Sequence, residues 1–254
     1  MENIRALMMD LGDTFRIVTN NKPFLDAARA RIAEICKADT DPDTYYAFIN
    51  KRYDEYRKWA LRFTCEAPEE ELWTRWLVPE LDRDYIAANA KELTYCFRRA
   101  KGERVVVDKG IETVKELVRR GYMVGIISDL VGTMEVDEWL DNDGIRDLFC
   151  TVQQSSVTML RKPHPGIYFL ACQGAGVRPG ECVFVGDNMD RDIVGAKAAG
   201  FAGTIGAAYS DLKRGGAATE ENTPDCFISS FDELLKVLPG NGEYHPENVE
   251  RRSF

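Results

Sequence analysis

Apolar residues follow two kinds of pattern along this chain of 254 residues. In the second half, short and nearly continuous apolar runs alternate with segments of helical periodicity. The runs are YMVGIIS (122–128), LFCTVQQSS (148–156), CVFVGD (182–187), AGTIGA (202–207) and DCFISS (225–230), each bounded by Gly, Asp or Ser. Such runs predict strands covered on both faces of a parallel sheet. Between them, IETVKELVRRG sets Ile111, Val114, Leu117 and Val118 at helical spacing, with Gly121 placed as a C-terminal cap. SFDELLKVL opens with Ser230 and Glu233 in capping-box spacing. Alternating β and α segments of this kind predict a doubly wound α/β fold.

The first half starts with one more apolar run, IRALMMDLGDTF (4–15), and then changes character. Four helical patterns follow: FLDAARARIAEICKA, DTYYAFINKRYDEYRKWALRF, EEELWTRWLVPEL and RDYIAANAKELTYCFRRA. Pro and Asp clusters at DTDPD, EAPEE and VPELDRD separate them. An all-helical block inserted after a single strand predicts a second domain. The expected division is a discontinuous core (1–22 and 104–240), a helical insert (23–103) and a polar, loosely held tail (241–254).

Composition narrows the class without naming the chemistry. With 33 basic against 42 acidic residues the net charge is −9, which disfavours nucleic acid or an anionic membrane surface as a partner. No apolar stretch reaches the 18 residues of a candidate membrane span. The chain enters its first apolar run almost at once, without the basic segment and cleavage site of a secretory signal, so a cytoplasmic location is expected. Seven scattered cysteines with no CxxC pair are expected as reduced thiols, mostly buried.

In an open parallel sheet, ligands bind beyond the carboxyl ends of the strands. The residues that close the apolar runs are therefore the candidates for chemistry. Asp10 ends the first run, Ser128 and Asp129 end MVGIIS, and Asp187 ends CVFVG. Asp192 follows five positions later within GDNMDRDIVGAKAAGF, and Lys162 stands in RKPHPGIYF.

These motifs, in this order, resemble the haloacid dehalogenase superfamily, in the branch with a helical cap inserted after the first strand. VGDNMDRDIVGAKAAGF is the most specific piece, and KPHPGIY and GIISD support it. The resemblance implies a Rossmann-like parallel core with helices on both faces plus the cap. It also implies a Mg²⁺-dependent phosphatase acting on a small phosphorylated metabolite. Asp10 would attack phosphorus to form an aspartyl-phosphate that water hydrolyses. Asp10, Asp187 and the Gly12 carbonyl would hold Mg²⁺, with Asp192 as a nearby outer partner. Lys162 would neutralise the nucleophile and the phosphate. Ser128 would donate to a phosphoryl oxygen, with Asp129 beside it in the phosphate site.

The pattern departs from the family at one place. Most of its phosphatases carry an acid–base Asp two residues after the nucleophile, and here that residue is Gly12. Asp13, one position on, is expected to stabilise a turn. Loss of a positioned general acid costs ~10²–10⁴ in rate. Two rival readings follow: a 2-haloacid dehalogenase, whose Asp nucleophile needs neither metal nor second acid, and a catalytically weak binder of a phosphorylated ligand. The acidic pair in GDNMDRD argues against the dehalogenase, and retention of Asp10, Lys162 and Asp187 against the binder. His164 is expected to pack its loop.

The segment FRIVTNNKPF (15–24) falls where the family has a hairpin flap, and Arg16 is expected to face the substrate. Among the cap's basic residues (Arg57, Arg62, Arg75, Arg98 and Arg99 among them), one or two are expected to meet an anionic substrate. The sequence does not select which. A monomer or a homodimer is expected.

Overall fold

The computed structural model describes residues 3–209 and 216–249. Six parallel strands form the core sheet in the order β5-β4-β1-β6-β7-β8. They are β1 (Ala6–Met9), β4 (Met123–Ser128), β5 (Phe149–Gln154), β6 (Cys182–Gly186), β7 (Gly203–Ala207) and β8 (Cys226–Ile228). The intervening strands β2 (Arg16–Thr19) and β3 (Glu103–Val106) form a separate antiparallel ribbon.

The central strand β1 pairs with β4 on one side and β6 on the other, so Met9 lies level with both Ile126 and Val185. Its side chains alternate between two cores. Leu7 and Met9 join Val124, Ile126, Val183 and Val185 on one face, while Ala6 and Met8 join Ile127, Tyr168 and Phe184 on the other. Burial on both faces explains why the strand reads as continuously apolar.

Helices cover both faces: α5 (Gly110–Arg119), α6 (Glu135–Asn142), α7 (Ser155–Thr158), α8 (Pro165–Ala175), α9 (Val194–Ala198) and α10 (Leu234–Val237). Helix α5 ends with Gly121 at φ +90°, a left-handed conformation that glycine adopts without steric cost. The expected capping box at Ser230 is absent. Residues 231–233 form a 3₁₀ turn, and the Glu233 carboxylate accepts from the Ser229 backbone N–H at 2.7 Å instead.

Between β2 and β3 lie α1 (Lys22–Ile35), α2 (Pro42–Phe63), the single turn α3 (Glu69–Glu71) and α4 (Arg83–Arg99). A π-helical stretch, Leu72–Leu77, continues α3. These elements enclose their own core around Tyr56, Trp73, Leu93 and Phe97. Trp73 is fully buried, and its indole N–H donates to Thr94 Oγ1 at 2.8 Å, as a buried Trp requires.

Two expectations need correction. Residues 16–19 do not fold back as a hairpin of their own. They pair with the returning strand, Arg16 opposite Val106 and Thr19 opposite Glu103, so one ribbon carries both connections between core and cap. Nor are residues 241–249 loosely held. The Ile4 N–H donates to Gly242 O, and Tyr244 and Val249 are buried in the main core. Residues 250–254 of that tail lie outside the described residues. Among the described residues no helix is long and apolar enough to cross a membrane. All seven cysteines are free, and five of them are buried.

Candidate active site

Because β4, β1 and β6 are adjacent and in register, their C-terminal ends present Ser128, Asp10 and Asp187 side by side. Asp10 is locked to the sheet edge, its N–H donating to Val185 O at 3.0 Å. This edge is also where the chain, having built β4 and β5 on one side of β1, crosses to build β6 on the other. A crevice at such a reversal is the expected ligand site of an open α/β sheet.

Lys162 is brought in by the loop between α7 and α8 and is almost wholly buried. Its Nζ lies 2.9 Å from Asp10 Oδ1 and 2.6 Å from Asp192 Oδ1. Burial opposes the ammonium charge, but Asp10, Asp192 and Asp129 outweigh it and raise the lysine pKa, so the group stays charged. The 1% exposure of Lys162 makes this a committed position, not a solvated surface lysine.

Asp192 is equally buried. Its Oδ2 accepts from the Asn188 N–H at 2.9 Å while Oδ1 faces Lys162. Gly186 makes room for it: a Cβ at that position would lie 2.4 Å from Asp192 Oδ2. The Asn188 side chain caps the turn that follows, accepting from the Arg191 N–H at 3.1 Å. Carboxylate oxygens of Asp10, Asp187 and Asp192 all lie within 4.8 Å of one another, and all three residues are buried. A compact set of hard oxygen donors suits a small divalent cation such as Mg²⁺. Lys162 ties two of these carboxylates together, facing Asp10 Oδ1 and Asp192 Oδ1 at once.

Asp129 follows Ser128, but its carboxylate is turned to the protein. Oδ1 accepts from the Lys162 backbone N–H at 2.9 Å, and Oδ2 lies 3.5 Å from Arg161 and 3.4 Å from Arg191. The carboxylate therefore anchors the lysine loop, while the residue itself also lines the cleft beside Ser128. Arg161 in turn meets Glu66, a cap residue that also accepts from Tyr56 Oη and from Ser155 Oγ. An antiparallel bridge between Cys65 and Leu160 runs beside this network.

Arg16 is not brought to the site. It is buried, pairs with Asp143, donates to Arg104 O at 2.9 Å and stacks 4.8 Å over the Trp139 ring. It lines a different cavity, of about 480 Å³, behind the ribbon. Adjacency in sequence to the catalytic loop misled here, because β2 turns Arg16 toward α6. Asp13 sits in the turn after β1 at φ +54°, a conformation Asp tolerates, with its N–H bonded to Arg16 O. His164 caps α8, its Nδ1 accepting from the Gly166 N–H at 3.0 Å.

The cleft itself encloses about 200 Å³. Asp10, Gly12, Ser128, Lys162 and Asp187 form its floor, and Arg57, Arg98 and Arg104 face them from the cap and ribbon. Sequence reasoning missed Arg104, Arg161, Arg191 and Glu66. Arg161 and Arg191 were within reach, since one precedes Lys162 and the other lies inside GDNMDRD. Glu66 carried no signal in a stretch that reads as a helix separator.

Comparison with known proteins identifies the family and the fold. The family model of haloacid dehalogenase-like hydrolases matches residues 4–200. The glyceraldehyde 3-phosphate phosphatase of Pyrococcus furiosus is 27% identical over 243 residues, 94% of each chain. The pyrophosphatase PpaX of Bacillus cereus is 35% identical over 127 residues, and this match spans about half of each chain, 50% and 56%. In structure, the 2-haloacid dehalogenase of Pseudomonas syringae aligns with TM-score 0.67 at 20% identity, covering 93% of this chain and 98% of that one. A HAD phosphatase from Thermococcus onnurineus aligns at 0.58 and 23%, covering 95% and 100%. At such identities the structural likeness speaks for the fold. With the family model spanning most of the sequence, the chain belongs to the haloacid dehalogenase-like hydrolases.

Proposed function

We propose that this protein is a phosphatase that hydrolyses a small phosphorylated molecule through an aspartyl-phosphate on Asp10, with Mg²⁺ bound beside it. The single observation that carries the reading is the joint placement of Asp10, Lys162 and Asp187 around one cleft. A carboxylate and a phosphate repel each other, so attack needs positive charge held between them. Asp10, Asp187 and the Gly12 carbonyl would hold Mg²⁺, which would supply part of that charge when bound. Lys162 supplies the rest from the protein, touching the nucleophile directly.

Asp10 Oδ attacks phosphorus, the ester oxygen leaves with the bonding pair, and water then cleaves the acyl-phosphate to restore the carboxylate. Ser128, on the cleft floor, would donate to a phosphoryl oxygen. Asp129 and Arg191 keep the Lys162 loop fixed during both steps. Relatives named as phosphatases of glyceraldehyde 3-phosphate and of phosphoglycolate support a small phosphate ester as substrate.

The dehalogenase reading keeps Asp10 as nucleophile and draws on Gly12. The carboxylate cluster weighs against it, since Asp187 adds negative charge that a halide-displacing carboxylate has no use for. Turnover of p-nitrophenyl phosphate and of chloroacetate, each with Mg²⁺ and with chelator, separates the two. Chelator-sensitive phosphate release supports the phosphatase. Chloride release that survives chelation overturns it.

A further inference from the structure

The wall of the cleft opposite the catalytic carboxylates is cationic beyond what its own acids neutralise. Arg57 comes from α2, Arg98 from α4 and Arg104 from β3, and all three line the cleft. Arg98 is answered by Glu135, 2.8 Å away and buried. The other two are not. Among the described residues Arg57 makes neither a hydrogen bond nor an ion pair. Among the described residues the Arg104 side chain donates only to the carbonyls of Arg98 and Gly102, at the long distances of 3.3 and 3.4 Å. Burial first, and Arg98 next, push its pKa down to about 10, with Glu135 and Asp13 favouring the charge from farther off. For half-buried Arg104 an uncompensated charge costs stability unless an anion meets it, and exposed Arg57 adds a second unpaired charge to the same cleft.

Building on the phosphatase reading, we infer that Arg57, Arg98 and Arg104 form a subsite for a second anionic group. The substrate is then a small phosphate ester or anhydride that carries a carboxylate or another phosphate at its far end. The reacting phosphoryl group faces Asp10, Ser128 and Lys162 on the floor, so the arginines meet whatever the other end presents. A guanidinium suits either anion, binding carboxylate and phosphate alike through paired N–H donors. The cleft of about 200 Å³ is smaller than the roughly 300–1,000 Å³ of drug-sized sites, so only a short spacer fits between the two anionic ends.

The test compares kcat/KM for 2-phosphoglycolate, inorganic pyrophosphate and ethyl phosphate, in the unchanged protein and in Arg57→Ala and Arg104→Gln. Ethyl phosphate has the same short spacer without a second charge. The inference expects at least one dianionic-ended substrate to be preferred. It also expects the preference over ethyl phosphate to fall on the order of tenfold to a hundredfold in the variants, mainly through KM. Preference for 2-phosphoglycolate identifies a carboxylate end, and preference for pyrophosphate a phosphate end. Equal turnover of all three, or variants that slow all three alike, overturns it. Arg57 is exposed and bonded to nothing described, so its variant stays informative even where Arg104→Gln folds poorly. If no phosphate ester is turned over, the phosphatase reading falls and calorimetry decides the subsite. Tighter binding of 3-phosphonopropanoate than of propylphosphonate, lost in Arg57→Ala, sustains it, and equal binding overturns it.

Discussion

Glu66, on the cap, and Arg161, on the core, form a buried ion pair that joins the two domains one residue away from Lys162. The Glu66 side chain is fully buried and that of Arg161 nearly so. Burial raises the Glu66 pKa, and Arg161, Tyr56 and Ser155 pull it back by stabilising the carboxylate. Removing one partner of such a pair leaves an uncompensated buried charge, so Glu66→Ala is expected to destabilise the protein by roughly 3–5 kcal/mol. Urea denaturation measures it. A loss below about 1 kcal/mol would mean that the network is solvated in solution.

Lys101 gives the protein a pH-dependent stability. The ammonium lies 4.0 Å from the Tyr53 ring centroid, and burial, then Arg98, Arg57 and Arg104, lower its pKa to about 7. In the unfolded chain the group keeps an ordinary value of about 10.4. Between those pH values the unfolded state holds a proton that the native state lacks, so stability rises as pH rises from 7 toward 10. Lys101→Met is expected to flatten that slope and to be the more stable protein near pH 7. Denaturation midpoints at several pH values check this, and parallel slopes for the two proteins would contradict it.

Gly12 is an open position, not a steric necessity. A Cβ built there meets nothing within 4 Å, and the residue faces the cleft. Gly12→Asp is therefore expected to fold normally and to place a carboxyl group where most related phosphatases carry their acid. Turnover of alkyl phosphates, whose leaving groups need protonation, should rise by about tenfold or more, with little change for p-nitrophenyl phosphate. Equal effects on both esters would show that the added group is not acting as an acid.

Much of the core was legible because its determinants are local. Strands buried on both faces announce themselves as apolar runs, and the residues that end them are the ones the sheet presents at its edge. Asp10, Ser128 and Asp187 could thus be named as a group before their proximity was visible. What was not legible depended on contacts between distant segments. Arg16 looked like a cleft residue until β2 was seen to pair with β3 and aim it at Asp143. Asp129 lines the cleft as expected, but that its carboxylate is held by Arg161, Arg191 and the Lys162 loop had no local signal. The polar tail concealed Tyr244, which packs against Gly203: a Cβ there would come within 2.3 Å of its ring. In the cap, helical periodicity could not separate arginines at the cleft from those in solvent. Both occupy polar faces, and only the packing of α2 and α4 over the core distinguishes them.

The central claim is that Asp10 carries a phosphoryl group during turnover, and acid-quenched mass spectrometry tests it most directly. The protein would be mixed with 2-phosphoglycolate or p-nitrophenyl phosphate and Mg²⁺, quenched within one turnover, digested and mapped. The account predicts one added phosphoryl group on the peptide holding Asp10, absent in Asp10→Asn, whose turnover is also lost. Steady turnover by Asp10→Asn, or a phosphoryl group mapped to another residue, would contradict it.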